Sequence, residues 1–335
     1  MNMWIFGSWI LDMLFLIFPV LGTMALILFT DINWDNWAFA GIVVFTWIDS
    51  GHVYTTVLRT YFNREEIDSN KNIYTYAPLV IFATMMLWLL AGAYYLWDFI
   101  LYATIYHNIR QYYGVTRWYQ KNVASKSRWQ TRYLYILTVI PVILFHFRKD
   151  VPKNIYIQTQ LPIMENATAL SWGLWVYFAV LGSWLLFQLI TLIKNPREAA
   201  VSLSALVPIA GYGVGFLLGR NLFEVAAPII VGHGIGYMGL MTISLNRTKP
   251  EMYKSFLKAL LITVVLAVVV GSVSDVIEEN FVSRHPFVTG WAWVLSSFAI
   301  ASILTPLLLH YYIDALIWNG KHRESHLVFN KPKSI

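Results

Sequence analysis

WAWVLSSFAIASILTPLLLHYYIDALIW, residues 291–318, runs without a charge until its last turns, where His310-Tyr311-Tyr312-Ile313-Asp314 interrupts it. About 20 apolar residues of helix cross the hydrocarbon core of a bilayer, so this stretch is long enough to span one. On a helix His310 and Asp314 stand one turn apart on one face. Ionisable groups inside a membrane helix are costly, so they turn to a bundle interior or a wet cavity and mark functional sites. An imidazole and a carboxylate at that spacing can hold one metal ion or relay one proton. What the pair faces must come from the other helices.

Composition narrows those helices to one class. Of 335 residues, 58% are hydrophobic and 13% charged, with a mean hydropathy of +0.56. That is too apolar for a soluble domain of this length, and the apolar residues come in bilayer-length runs. The lipid bilayer is therefore the first partner, and nucleic acid is not one, because the formal charge of +6 reads as membrane topology. There is no cysteine, which excludes disulfides, thiolate-bound haem and cysteine-bound iron–sulfur clusters. A metal here must take nitrogen and oxygen ligands. The start, Met1-Asn2-Met3-Trp4-Ile5, has no basic region and Asp12 breaks its apolar run, so a retained first helix is expected rather than a cleaved signal.

The sequence predicts an all-α, polytopic integral-membrane helix bundle, a single transmembrane domain over residues 1–335. About ten spans are expected, near 3–29, 36–60, 75–96, 98–118, 132–147, 168–194, 200–219, 223–245, 255–275 and 290–318. A tight turn near Trp97-Asp98 is expected to separate the third from the fourth. Eighteen of the 24 Lys and Arg fall in connections after even spans and in the C-terminal tail. Five, Arg148, Lys149, Lys153, Arg220 and Arg284, follow odd spans, and Arg110 sits inside the fourth. The positive-inside rule then puts both termini in the cytoplasm. Trp34, Trp37, Trp97, Trp118, Trp291 and Trp318 mark span ends, as interfacial aromatics do.

Four of the eight histidines lie inside spans: His52, His107, His233 and His310. All four spans are even-numbered and run the same way. Counting back from each cytoplasmic end gives about 8 to 12 residues, roughly 12–18 Å of helix, so the four share one layer. Asp49 stands i,i+3 from His52, Asp314 one turn from His310, and Asp12 at a similar depth in the first span. A single buried histidine in a helix bundle is usually an interhelical hydrogen bond. Coincident depth on four helices favours a common site of His52, His107, His233, His310, Asp49, Asp314 and Asp12. Gly232, Gly234 and Gly236 around His233 read as close helix packing.

Imidazole and carboxylate ligands without sulfur suit iron first, with zinc or haem as alternatives. A buried site in an apolar bundle would meet a lipophilic small-molecule substrate or dioxygen. The expectation is an integral-membrane, metal-dependent oxidase or oxygenase, of the non-haem iron kind, working in the cytoplasmic half of the bilayer with an electron donor. Arg110, Tyr106 and Tyr113 are its candidate catalytic residues. Arg110 cannot lose its proton and should meet an acid or an anionic headgroup. The tyrosines would line a channel. The histidine boxes of membrane fatty-acid desaturases are missing, as are adjacent paired histidines of the haem–copper kind. The alternatives are a proton- or cation-coupled transporter using the His/Asp cluster, a b-type haem protein, and a zinc hydrolase.

Overall fold

The structure is a computed structural model that describes residues 3–30, 39–151, 162–248, 255–282 and 284–317. Every regular element among the described residues is helical. In chain order the main helices are α1 (Trp9–Phe29), α2 (a π-helical stretch Ile42–Ser50 continued by the α-helix Gly51–Arg59), α3 (Arg64–Ser69) and α4 (Lys71–Leu90). They continue with α5 (Leu96–Asn122), α6 (Trp129–Phe145), α7 (Ala167–Lys194) and α8 (Ala199–Leu218). The last are α9 (Leu222–Thr248), α10 (Phe256–Ile277) and α11 (Trp291–Ile317).

A helix stands at each of the ten expected places. Seven of them, α1, α4, α7, α8 with its short lead-in, α9, α10 with its π-helical end, and α11, are long and apolar enough to cross a membrane. The other three differ for visible reasons. Asp49, Ser50, His52, Thr55 and Thr56 crowd α2, α5 carries Arg110, Arg117 and Lys121, and α6 is apolar but only 17 residues long. The turn between α4 and α5 is earlier than expected. It lies at residues 91–95, where Gly92 takes φ +103°, and Trp88 Nε1 donates to the Tyr94 carbonyl at 2.8 Å. Trp34, Trp37, Trp318, His322, His326 and the basic residues of the tail lie outside the described residues.

The chain forms two compact units. The first comprises Met1–Ala38 and Leu101–His233, so it holds α1, most of α5, α6, α7, α8 and the first turns of α9. Its core is apolar, built from Leu134, Leu137, Phe145, Ile209, Tyr212 and Phe216. One polar knot ties α6, α7 and α8. Gln130 and Gln188 exchange amide hydrogen bonds at 2.9 and 2.6 Å, and Ser202 donates to Gln188 at 2.6 Å. Interhelical polar contacts of this kind contribute on the order of 1 kcal/mol each among apolar helices.

The second unit comprises Phe39–Ile100 and Gly234–Ile335, holding α2, α3, α4, the rest of α9, α10 and α11. Here α11 packs along α4 and α10 along α2. Tyr74, Tyr237, Met241, Leu309 and Ile313 form its core. The α2–α10 approach depends on glycine. A Cβ at Gly51 would lie 2.6 Å from the Ala267 carbonyl oxygen, and one at Gly271 would lie 2.4 Å from the Thr46 carbonyl oxygen. Beyond α10, His285 sits buried in a short 3-10 turn with its Nε2 2.9 Å from the Ser297 hydroxyl. Burial holds that imidazole below its ordinary pKa.

Two outcomes follow. Gly51→Ala forces a methyl onto backbone and should cost about 1–3 kcal/mol, seen as earlier thermal unfolding in detergent, while Gly182→Ala, with nothing within 4 Å of its Cβ, should not. For His285 the unfolded chain takes up the proton near pH 6.5 and the folded chain resists it. Stability should therefore fall as pH drops below about 6.5, and His285→Gln should flatten that dependence in pH-resolved unfolding.

Candidate functional site

In the second unit, three helices bring together His52 on α2, Tyr237 on α9, and His310 with Asp314 on α11. His52, His310 and Asp314 are 2%, 1% and 7% exposed. The His52 and His310 rings meet edge to face with centroids 5.1 Å apart, and Tyr237 lies 4.8 Å from the His310 ring centroid. Thr56, one turn after His52, places its hydroxyl 2.7 Å from His310 Nδ1 and 2.8 Å from the Tyr237 hydroxyl. Tyr237 in turn donates to Asp314 Oδ1 at 2.8 Å. His310 Nδ1 and Asp314 Oδ1, the pair expected from their i,i+4 spacing, stand 3.7 Å apart.

His52 has its tautomer set by the backbone. Its Nδ1 lies 2.8 Å from the Ile48 carbonyl oxygen, which can only accept. Nδ1 therefore carries the proton, and Nε2 holds the lone pair that a metal or a donor could use. A backbone carbonyl behind a histidine is the usual way to orient a ligating imidazole. Gly234 makes room for this contact. A Cβ there would sit 2.6 Å from Ile48 Cγ2, 3.0 Å from the Ile48 oxygen and 3.5 Å from His52 Nδ1.

In the first unit, α5 and the start of α9 bring His107 and His233 together. Their rings also meet edge to face, with centroids 5.0 Å apart, and they are 7% and 2% exposed. Gln111, one turn after His107, donates to the His233 carbonyl at 3.1 Å. Gly232 lets α9 approach closely, since a Cβ there would meet Val20 and the Tyr112 hydroxyl at 2.2 and 2.4 Å.

The remaining candidates are placed elsewhere. Asp12 is fully buried, and its carboxylate accepts from the Ile5 and Phe6 backbone N–H groups at 2.9 and 2.8 Å and from the Tyr119 hydroxyl. It ties down the turn before α1, which gives it a capping role instead of the expected ligand role. Asp49 is within electrostatic reach of Glu278, and the His52 ring meets Tyr237 on α9 and His310 on α11. The expected common face for Asp49 and His52 assumed α-helical turns. Asp49 stands in the π-helical stretch Ile42–Ser50 and His52 in the α-helix that follows it.

Arg110, Tyr106 and Tyr113 do not line an interior channel. Arg110 and Tyr106 lie exposed on α5, while His107 and Asn108 are buried. The Arg110 guanidinium donates to the Tyr135 hydroxyl at 2.8 Å and rests over the Tyr113 ring, 4.9 Å from its centroid. Among the described residues its partners are phenols.

Thr56 and Tyr237 have roles that the ligand list did not give them. The signal for Thr56 was its i,i+4 spacing from His52, and for Tyr237 its i,i+4 spacing from His233. The buried histidine and aspartate groups are of the kind that can in principle hold a metal ion. Comparison with protein-family profiles, characterised proteins and solved structures finds no match.

The capping role of Asp12 has a direct test. Asp12→Ala orphans two backbone donors and a phenol, so unfolding should become easier by at least about 1–3 kcal/mol. Metal content measured on the same preparation should not change.

Proposed function

We propose that this chain is an integral-membrane, metal-dependent oxidoreductase that acts on a lipophilic substrate in the cytoplasmic half of the bilayer. The observation that carries the reading is the pairing of buried imidazoles, His52 with His310 at 5.1 Å and His107 with His233 at 5.0 Å between ring centroids. Buried imidazoles in apolar helices are expensive unless their nitrogens are hydrogen-bonded or ligated. Neutral imidazole with carboxylate, and no sulfur, suits iron, zinc or manganese, and of these non-haem iron with open positions is the one used for oxygen chemistry. His52 and His310 would hold the metal through neutral nitrogens. Asp314 supplies the negative charge beside His310. His107 and His233 offer a second pair of donors.

The reading includes ten spans with both termini cytoplasmic, supported by the 18-to-five division of basic residues in the sequence. Seven helices of sufficient length and apolarity are consistent with such a protein. Arg110, with Tyr106, Tyr113 and Tyr135 around it on the outer side of α5, would take the anionic headgroup of an amphiphilic substrate arriving through lipid. The electrons would come from a separate donor.

Purification under reducing, iron-replete conditions followed by elemental analysis tests the proposal. Wild-type protein should retain iron, and His52→Ala and His310→Ala should each lose most of it while still inserting. Arg110→Gln should keep the metal. If wild type holds none, or both histidine variants keep full content, the oxidoreductase reading fails and proton- or cation-coupled transport becomes the better account.

A further inference from the structure

We infer that Thr56 and Tyr237 are positioning residues that fix which nitrogen of His310 carries its proton. Within the second unit, one chain of contacts offers too few hydrogens for more than one arrangement. With Asp314 ionised, its oxygen accepts and cannot donate, so the single hydroxyl proton of Tyr237 is spent on Asp314 Oδ1. The Tyr237 oxygen must then be the acceptor in its 2.8 Å contact with Thr56. That contact uses the only hydroxyl proton of Thr56. At 2.7 Å from His310 Nδ1 the Thr56 oxygen is left to accept, so Nδ1 is the nitrogen that carries the hydrogen.

The order runs from His310 Nδ1–H to Thr56 to Tyr237 to Asp314. A neutral imidazole has one N–H, so Nε2 of His310 holds the lone pair. The direct distance from His310 Nδ1 to Asp314 is 3.7 Å, too long for a hydrogen bond. Asp314 therefore acts on His310 through two hydroxyls. His52 reaches the same tautomer through the Ile48 carbonyl. Two imidazoles whose rings meet are thus both held with Nδ1 as donor and Nε2 as the coordinating nitrogen. Bonds of this kind behind ligating histidines commonly change metal affinity by about 10–100-fold when removed. That consequence rests on the metal reading above, whereas the tautomer does not.

The test is nitrogen-15 NMR of histidine-labelled, chelator-treated protein in lipid nanodiscs, with the His310 signal assigned by its loss in His310→Gln. Wild type should show His310 protonated at Nδ1 and bare at Nε2. In Tyr237→Phe the Thr56 hydroxyl loses its acceptor and turns to donate to Nδ1, so the proton should move to Nε2. Thr56→Ser keeps a hydroxyl in place and should retain the wild-type tautomer. Iron titration of the same samples should show Tyr237→Phe weakened about 10–100-fold and Thr56→Ser unchanged. A wild-type His310 protonated at Nε2 overturns the inference without any variant, as does a Tyr237→Phe spectrum identical to wild type. A Nδ1-protonated wild type that binds no iron would leave the tautomer assignment standing and sink the metal reading. Iron bound alike by wild type and Tyr237→Phe, with unchanged spectra, would do the reverse.

Discussion

A polar group buried among apolar helices has no water to turn to, so its hydrogen bonds must come from neighbouring side chains or from backbone. That constraint shapes both units. In the first, the amides of Gln130 and Gln188 close on each other, and Asp12 gathers the backbone donors before α1. In the second, the Ile48 carbonyl accepts a hydrogen bond from His52 Nδ1–H, and the two hydroxyls of Thr56 and Tyr237 join His310 to Asp314. Each of these contacts has a direction, because carbonyls and carboxylates only accept. The buried polar groups are consequently held in single protonation patterns.

Small residues make these contacts reachable. Gly234 allows α9 to lie against the His52 and Ile48 pair, and Gly51 and Gly271 allow α10 to lie against α2. Without a hydrophobic driving force between helices in lipid, such close approach is what packing has to offer. The large exposed side chains of α4 and α7, among them Leu79, Leu87, Trp172, Trp175, Leu186 and Ile193, form apolar outer faces that suit contact with acyl chains.

Much of this was legible in the sequence, for identifiable reasons. Apolar run length gave the helices, because bilayer thickness sets it. The four histidines inside the expected spans stood out because an ionisable group in a membrane helix is expensive. What failed were inferences that assumed uniform α-helical geometry or a fixed direction for a side chain. Asp49 looked like a partner of His52 at i,i+3 on uniform α-helical turns, and the stretch it stands in is π-helical. Arg110 looked interior from its position, yet Tyr106, Arg110 and Tyr113 share an outer stripe at i, i+4, i+7, a pattern the sequence does contain. Asp12 looked like a ligand, and only the path of residues 3–8 reveals that it caps them. Thr56 carried only its i,i+4 spacing from His52, and that gains meaning once α9 and α11 place Tyr237 and His310 beside it.

The central claim is that buried imidazole nitrogens hold a metal. X-ray absorption spectroscopy on the purified, iron-replete protein addresses it most directly. The account predicts an iron edge with nitrogen and oxygen neighbours near 2.0–2.2 Å, by analogy with the His and carboxylate bond lengths known for zinc, together with the outer-shell scattering of more than one imidazole. A spectrum without bound metal, or one whose iron sits in a porphyrin or lacks imidazole scattering, would contradict it.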